Sequence, residues 1–538
     1  MTLRLTLVLL IAVVGLLIWN EPPVVLSQST TGSNAAAQRH ELTPPEKRGK
    51  AFYLRGESAS GREITAMMGE IDVPASTLTC AGCHGIRGEG RTEGGVTAGS
   101  LTWSFLTKPY GHADEGGRKH GAFSETSFVR MLTSGLDPAG NKLAVAMPTY
   151  RMPQEDMANL IAYLKRIETD SDPGVTDTSI VLGTVLPDKS ALSGLAQSMG
   201  DVLQAYFAEI NSRGGIYNRK IELRVMNGDS TSTVANMRRL IDEEQVFAMV
   251  SGLSAGAEEG VAALTREKEV PFVGPSTLMP QRGSPVNRYI FYLLPGLKEQ
   301  ARALATFAAT KTDTKISRAL IVSPDTEFNR SIAVSIEDQA KKINWASVTK
   351  TYYPQDAFAA SAQVEQSKQK GIDTLFFLGS GVEAAALLKA ADTAGWTPSI
   401  YMLGSLVGRN IGEAVTVKAR ERVFLAFPTV PTDVSAAGAA EYSSLLAKNK
   451  LQSTHAAAQA SAIAAAKILV HALELCGKDL SRERLITVLE GLYEYDTGLM
   501  PKITFGPNRR IGALGAYVVT IDPEKKLFPA TLQWVAID

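Results

Sequence analysis

Residues 79–90 read TCAGCHGIRGEG and contain two cysteines separated by two residues, with a histidine directly after the second. This order, Cys80-x-x-Cys83-His84, is the attachment signature of a c-type haem. The two thiols add to the haem vinyl groups, and His84 follows closely enough to reach the iron as an axial ligand. A zinc site would need two further cysteine or histidine ligands at suitable spacing, which the sequence lacks. The motif therefore predicts one covalently bound haem c.

The second axial position of the iron needs another side chain, and methionine there is typical of electron-transfer haems. Two methionines precede prolines in AVAMPTYRMPQED, Met147 and Met152. Met152 stands directly before a predicted helix and is expected to pack against it as a hydrophobic staple. Met147 lies in the preceding loop, so we predict Met147 as the axial ligand. His112 and His120 offer the alternative, bis-histidine ligation, although both are expected in solvated loops.

The N-terminal residues MTLRLTLVLLIAVVGLLIWNEPP place Arg4 ahead of an apolar run. The run has the length of a signal-peptide core and is short for a membrane-spanning helix. We therefore predict residues 1–27 as a signal peptide or, if uncleaved, a membrane anchor, and the small polar residues 28–42 as a tether. Haem is attached to this motif outside the cytoplasm in bacteria, so both features predict a periplasmic location.

Two regions of different character follow the tether. Residues 43–170 begin and end with predicted helices, TPPEKRGKAFYLRG and EDMANLIAYLKRIE, on either side of the haem motif. Residues 171–178 are polar, contain Pro and Gly, and are predicted as a linker. Beyond them, short buried strands such as IVLGTVL, RALIVSP and DTLFFLGS alternate with helical segments. This alternation predicts doubly wound α/β lobes over residues 179–538.

Composition and motif content argue against several classes of function. The chain has 55 basic and 55 acidic residues and a formal net charge of zero, so we expect no nucleic-acid partner. No H-E-x-x-H or P-loop pattern occurs. We expect the protein to carry electrons and bind a ligand, not to act as an enzyme. The third cysteine, Cys476, lies with His471 in an apolar helix and is expected to be a buried, inert thiol.

With these motifs in place, residues 43–170 resemble a class I cytochrome c. The matching pieces are the first helix with Gly49, Phe52 and Tyr53, the CAGCH motif, a Gly-rich loop, MPTY, and the last helix with Tyr163. The resemblance implies a small all-α domain in which the first and last helices cross near Gly49 and Tyr163.

Residues 179–538 resemble the type I periplasmic binding proteins of the Leu/Ile/Val-receptor family, substrate-binding components of ABC transporters. The resemblance is carried, in chain order, by EINSRGGIYNRKIELRVMNGDS, SGLSAGAEEGVAAL, VPFVGPSTL, ALIVSPDTEFNRSIA and GIDTLFFLGSGVEAAALLKAADTAGW. It implies a multidomain chain in which the cytochrome is followed by two α/β lobes. Hinge crossovers would join the lobes and let them close on a small ligand.

The resemblance also implies ligand contacts at matching positions. Ser/Thr-rich loops of one lobe would hold a carboxylate, and an aromatic residue and two turn residues of the other lobe would complete the site. The positions are Ser254, Ala255, Gly256, Ala257, Ser276, Thr277, Phe328, Ser380 and Ser405. Amino-acid receptors usually have an acidic residue where Ser405 stands, and an ammonium would lose that charge-assisted partner here. We therefore expect the ligand to be a small organic acid, an amide, an alcohol or an amino acid.

Three functions agree with these features. In the first, an exported cytochrome transfers single electrons to a periplasmic redox partner while its receptor domain captures a small molecule. In the second, the chain is the binding component of an ABC importer, works with a permease, and carries the haem as a redox or docking appendage. In the third, the ligand is oxidised in the cleft, which would need a second cofactor that the sequence does not support. We predict the first.

Overall fold

The computed structural model of the chain describes residues 42–537, except 114–117, 190–191, 284, 523 and 525–530. The structure divides between Asp170 and Ser171 into two compact units. We call them the haem-motif unit and the two-lobed unit. The predicted leader, 1–27, and nearly all of the predicted tether, 28–42, lie outside the described residues.

The described part of the haem-motif unit contains five helices. They are α1 (Pro44–Arg55), α2 (Cys80–His84), α3 (Trp103–Leu106), α4 (Glu125–Ser134) and α5 (Gln154–Leu164). Helix α1 begins after Thr43, whose backbone N–H donates to the Glu46 carboxylate over 2.7 Å. It ends at Gly56, which takes the left-handed conformation common after a helix.

Helices α1 and α5 cross at a glycine. A Cβ atom on Gly49 would lie 2.0 Å from the Asn159 carbonyl oxygen and 2.7 Å from the Tyr163 Cβ. Only glycine permits so close an approach, because every other residue would place this atom inside the neighbouring helix. The predicted crossing near Gly49 and Tyr163 is confirmed.

Short strands are added to the predicted all-α architecture. A three-stranded antiparallel sheet contains β1 (Thr65–Met68), β2 (Ile71–Pro74) and β7 (Thr149–Arg151), and two small hairpins pair β3 (Arg91–Glu93) with β4 (Val96–Ala98) and β5 (His112–Ala113) with β6 (Lys119–His120). The β1–β2 hairpin has a two-residue turn that begins at Gly69, where φ is 66°. Glycine adopts this angle without strain, so the local turn chemistry forms a hairpin inside a mainly helical unit.

The two-lobed unit alternates strands and helices along the chain. Its strands are β8 (Ser179–Pro187), β9 (Lys220–Gly228), β10 (Ala248–Val250), β11 (Phe272–Val273), β12 (Ile290–Phe291), β13 (Arg318–Pro324), β14 (Ser347–Tyr353), β15 (Thr374–Phe377), β16 (Ser399–Leu403), β17 (Val423–Phe427), β18 (Gly515–Thr520) and β19 (Leu532–Ala536). Its helices are α6 (Ser193–Ser212), α7 (Thr233–Asp242), α8 (Glu258–Lys268), α9 (Leu297–Ala309), α10 (Glu327–Lys342), α11 (Ala360–Gln369), α12 (Gly381–Thr393), α13 (Gly404–Val407), α14 (Ala436–Lys448), α15 (Ala456–Cys476) and α16 (Arg482–Glu490).

Each lobe is built around one sheet. Lobe 1 has the strand order β12-β11-β10-β8-β9, with every pair parallel. Lobe 2 has the order β14-β13-β15-β16-β17-β18-β19, in which the first four pairings are parallel and the last two, β17 with β18 and β18 with β19, are antiparallel. The order reverses between β8 and β10 in lobe 1 and between β13 and β15 in lobe 2. In open α/β sheets, ligands bind at the carboxyl ends of the strands beside such a reversal.

The chain crosses between the lobes three times, after β12, after β17 and before β18. Helix α9 packs in the core of lobe 2, whereas α14 to α16 pack in the core of lobe 1. The first and third crossings are hydrogen-bonded to each other, since Gly512 N–H donates to the Tyr292 carbonyl over 2.8 Å and Ala513 N–H to the Leu293 carbonyl over 2.9 Å. These segments are the predicted crossovers, and their action as a hinge stays a prediction.

The predicted linker, residues 171–178, is held against lobe 1. The Asp172 carboxylate accepts the backbone N–H of Arg482 over 2.6 Å, at the start of α16. The Gly174 carbonyl accepts the Val181 N–H over 2.7 Å, and Val175 packs against the lobe 1 core. The segment is therefore bonded to lobe 1 along much of its length, which its polar composition does not indicate.

Among the described residues, α15 alone is long and apolar enough to cross a membrane, by length and composition only. Most of it is buried in the core of lobe 1, as expected for the central helix of a folded lobe. Cys476 at its end is 1% exposed, and burial raises the pKa of its thiol to about 12. The predicted burial of Cys476 is confirmed. The His471 ring stacks on Tyr495, with ring centres 4.6 Å apart.

Candidate functional sites

The haem motif forms a short helix of its own, α2. Thr79 caps it, and the Thr79 hydroxyl oxygen accepts the Gly82 N–H over 3.3 Å. Cys80 and Cys83 are three residues apart, so the helix places their sulfur atoms on the same face. Cys80 is 5% exposed and Cys83 is exposed; burial raises the pKa of the Cys80 thiol to about 12. The two sulfurs are thus available together for two bonds to one haem.

His84 has the environment of an iron ligand. Its Nδ1 lies 2.6 Å from the Gly99 carbonyl oxygen, a bond that requires the proton on Nδ1 and leaves the lone pair on Nε2. Nε2 is buried and has no hydrogen-bond partner among the described residues. Burial also lowers the pKa of His84, which keeps the ring neutral. A buried nitrogen lone pair without a partner needs an explanation, and the iron of a haem attached at Cys80 and Cys83 would supply it.

Two tyrosines fix the backbone on either side of this helix, a role that the sequence analysis did not assign. The Tyr150 hydroxyl donates to the Leu78 carbonyl and the Tyr53 hydroxyl to the Gly85 carbonyl, each over 2.6 Å. Burial raises the pKa of both tyrosines, so their hydroxyls remain donors. The haem motif is therefore positioned from both ends by buried side chains.

The structure leaves the second axial ligand open. Met147 and Met152 are both half-buried and pack against the same hydrophobic cluster of the haem-motif unit. His112 and His120 face each other across the β5–β6 hairpin with ring centres 5.1 Å apart. His112 Nε2 is buried without a hydrogen-bond partner among the described residues, as His84 Nε2 is. Met147 thus stays the predicted axial ligand. His112 is the alternative ligand, which its buried and unpartnered Nε2 supports.

The predicted contacts of lobe 1 lie on two adjacent turns, after β10 and after β11. The Ser254 N–H donates to the Ser276 carbonyl over 3.2 Å, which joins the turns. Ser254 is 3% exposed, whereas Ala255 and Gly256 lie exposed at the tip of the first turn. The Thr277 hydroxyl donates to the Glu258 carboxylate over 2.7 Å. A ligand carboxylate at Thr277 would therefore compete with Glu258.

The predicted contacts of lobe 2 lie at the helix starts that follow the turns after β13, β15 and β16. They are Phe328, Ser380 and Ser405. The first two turns are joined by Asn329, whose side chain donates to the Leu378 carbonyl over 2.9 Å. The third turn, after β16, lies beside the second. A Cβ atom added to Gly381 would lie only 2.3 Å from the Val407 carbonyl oxygen. Both lobes thus gather the predicted residues at the carboxyl ends of strands beside the reversal of strand order.

Comparison with known proteins identifies the family of each unit. A family model described as periplasmic binding protein matches residues 179–526, more than half of the chain. The chain belongs to the periplasmic binding protein family. A second model, described as cytochrome c, matches residues 73–168, so the haem-motif unit is a cytochrome c domain. The predicted order, a cytochrome c domain followed by a two-lobed type I binding-protein domain, is confirmed.

Relatives of the binding-protein domain are distant. Leu/Ile/Val-binding protein homolog 8 of Brucella abortus is 22% identical over 226 residues, which are 41% of this chain and 56% of that protein. The chain thus spans little more than half the length of this relative. A branched-chain amino acid ABC transporter structure from Thermus thermophilus with bound valine has a TM-score of 0.52 at 16% identity and covers 68% of this chain and 98% of its own. An extracellular ligand-binding receptor from Verminephrobacter eiseniae has a TM-score of 0.50 at 19% identity and covers 66% and 100%.

Two residues of the binding-protein domain that the sequence analysis missed lie beside Ser380. Oε2 of Glu383 accepts the Ser380 N–H over 2.7 Å and the Ser380 hydroxyl over 2.8 Å. The Ser380 hydroxyl is therefore already engaged, in the capping box that starts α12. Residues 380–383, S-G-V-E, match the capping-box pattern, so Glu383 could have been identified from the sequence. Tyr353, the last residue of β14, has no comparable sequence pattern around it. It reaches the strand ends of lobe 2 only through the pairing of β14 with β13.

Proposed function

We propose that this protein is an exported c-type cytochrome whose binding-protein domain captures a small molecule, so that one chain combines one-electron transfer with ligand binding. The observation that carries the proposal is the presence of two separate sites on one chain. One is the haem motif, which joins Cys80 and Cys83 to the unpartnered Nε2 of His84; the other is the set of turns and helix starts at the strand ends of both lobes. We propose no enzyme activity.

The cytochrome domain would hold one haem, which when bound supplies a reversible one-electron centre. The chain contributes the rest: Cys80 and Cys83 hold the group covalently, and Gly99 keeps the lone pair of His84 on Nε2. A methionine at the second axial position, which we assign to Met147, would raise the potential. A periplasmic redox protein is then the expected partner.

The ligand would be a small organic acid, amide, alcohol or amino acid. Lobe 1 offers the exposed turn residues Ala255 and Gly256, and lobe 2 offers the exposed Ser405 and an aromatic side chain, Phe328, which is 39% exposed. The Thermus thermophilus relative binds valine, which supports a ligand of this size. Membership of the family supports a periplasmic location, with residues 1–27 either removed or kept as an anchor.

A second candidate is the binding component of an ABC importer. The observation in its favour is that the similarity covers 98% of the branched-chain amino acid ABC transporter chain from Thermus thermophilus. In this case the haem would be a redox or docking appendage and a permease would be the partner. A permease gene next to this one favours import, whereas a neighbouring dehydrogenase gene favours redox coupling.

The full chain, produced in a host with a cytochrome c maturation system, tests the proposal. Its colour should survive acid–acetone extraction with one haem per chain, and Cys80→Ala with Cys83→Ala should lose the colour. A thermal-shift screen against small acids, amides, alcohols and amino acids should find a compound that stabilises the holoprotein by mass action, about 2.7 kcal/mol at a hundredfold excess over its dissociation constant. Extractable haem, or a panel without any binder, would contradict it.

A further inference from the structure

The hydroxyl of Tyr353 is buried at the strand ends of lobe 2 without a well-formed hydrogen bond. Tyr353 is 8% exposed, and its hydroxyl oxygen has no hydrogen-bond partner of ordinary length and angle among the described residues. A buried hydroxyl left in this state costs about 1–3 kcal/mol. The residue ends β14, beside the reversal of strand order between β13 and β15, where ligands of such sheets bind. An unpaired donor at this place indicates a ligand atom as its partner.

The hydroxyl is held in a fixed position. The Tyr353 ring packs on Phe358, with ring centres 4.8 Å apart, and Phe358 packs on Phe377 at 5.1 Å. A Cβ atom on Gly379 would lie 2.5 Å from the Tyr353 hydroxyl oxygen and 2.5 Å from Cζ of Phe377. The backbone of Gly379 has no left-handed φ, so glycine is required here for space alone. The turn between β15 and α12 therefore leaves room for the hydroxyl.

A hydrogen-bond acceptor lies next to this donor. Burial is the main cause that raises the pKa of Tyr353, and the charge of Glu383 and a side-chain hydrogen bond to it, outside ordinary length or angle, raise it further, so the phenol stays protonated. Both bonds from Ser380 to Glu383 end on Oε2, and Oε1 takes part in neither. The lobe thus presents one neutral O–H donor and one carboxylate oxygen side by side.

We propose that Tyr353 and Glu383 bind a hydroxyl group of the captured ligand, which makes a small hydroxy acid the ligand class. A hydroxyl has a lone pair that accepts from Tyr353 and a proton that it donates to Glu383. An ammonium has three donors and no acceptor, so it cannot accept from the tyrosine. This assignment deepens the proposed function and rests on it.

Matched ligands test the assignment on the full-length holoprotein by titration calorimetry. Each triad shares its carbon skeleton and carboxylate and has a hydroxyl, an ammonium or hydrogen at C2: lactate, alanine and propionate; 2-hydroxy-3-methylbutanoate, valine and 3-methylbutanoate; 3-phenyllactate, phenylalanine and 3-phenylpropionate. We expect the hydroxy acid to bind tightest within the triad that fits. Tyr353→Phe and Glu383→Gln should each weaken it about tenfold and leave the C2-unsubstituted acid unchanged. Gln keeps the capping box, since it serves at that position as Glu does.

Tyr352→Phe is the control, because Tyr352 packs in the cluster on the opposite face of the sheet. Unchanged hydroxy-acid binding in Tyr353→Phe and Glu383→Gln would overturn the assignment, as would tighter binding of the amino acid or the unsubstituted acid by the parent. If none of the nine compounds binds the parent, the assignment is equally overturned. Absence of binding across the wider panel of acids, amides, alcohols and amino acids would instead overturn the receptor function itself.

Discussion

The chemistry of His84 depends on Gly99, a residue that belongs to no motif. The Gly99 carbonyl holds the proton on Nδ1 and so leaves Nε2 free for iron. The sequence predicts Cys80, Cys83 and His84 directly, because the bonds they form are fixed by local spacing. It cannot predict Gly99 or the tyrosines Tyr53 and Tyr150, because these reach the motif only after the chain has folded.

The second axial ligand is the first residue-scale prediction. We expect Met147→Ala to abolish the weak far-red methionine-to-iron charge-transfer band of the oxidised holoprotein, because the sulfur that gives rise to the band is removed. Met152→Ala and His112→Ala are the matched variants and should keep it. Loss of the band in Met152→Ala alone would transfer the role to Met152. If the parent lacks the band and His112→Ala changes the spectrum, the second axial ligand is histidine.

Glu299 provides a second prediction at this scale. It is 3% exposed at the start of α9, and its Oε2 accepts the Gly296 N–H over 3.1 Å. Burial raises the pKa of Glu299 above its usual range. The folded state therefore favours the protonated form, and this contribution to stability is complete below the unfolded pKa of about 4.3 and is lost as pH rises through the folded value.

Glu299→Gln removes that dependence while keeping an acceptor for Gly296. We expect the melting temperature of the variant, relative to the parent, to rise between about pH 4 and pH 7. Thermal melts at several pH values measure it. Glu327→Gln, an exposed carboxylate in the first turn of α10, should show no such trend. A difference independent of pH in Glu299→Gln would contradict the prediction.

At the scale of elements, the crossing of α1 and α5 depends on one missing side chain. Alanine at position 49 would gain about 1 kcal/mol of helix propensity, but its Cβ would overlap the backbone of Asn159. Overpacking against backbone costs typically 1–3 kcal/mol or more, so the clash outweighs the gain. We expect Gly49→Ala to lower the melting temperature of the holoprotein. Gly121→Ala, where a Cβ meets nothing within 4 Å, should leave it unchanged; equal melting temperatures for both variants would refute the argument.

Elements differ in how clearly the sequence marks them. Strands β8, β13 and β15 are continuous apolar runs, because both faces of their sheets are covered. The sequence analysis does not identify β14, SVTKTYY, since this edge strand is half-exposed and interrupted by polar residues. The candidate site could therefore be predicted at Phe328 and Ser380, next to clear strands, but not at Tyr353, which the unmarked strand supplies.

At the scale of the whole molecule, the question is how strongly ligand and haem influence each other. Each unit has its own hydrophobic core, and within-chain interfaces are often mobile. We expect saturating ligand to shift the haem potential by less than about 59 mV, which corresponds to tenfold in affinity for a one-electron couple. Potentiometric titration with and without ligand measures it. A larger shift would make the binding-protein domain a redox switch, since coupling is reciprocal.

The bonded linker has a consequence for proteolysis. Asp170 is held in the cytochrome domain by Lys50 at 2.7 Å and by the Tyr163 hydroxyl at 3.1 Å, and Asp172 is held in lobe 1 by Arg482. Only Ser171 stands between these anchored residues. A protease must draw several extended residues into its active site, so cleavage here requires local unfolding. A brief digest of the native holoprotein with a broad-specificity protease should therefore leave the two units joined, whereas Asp172→Ala should release a haem-bearing fragment sooner; rapid release from the parent would mean that the junction opens freely in solution.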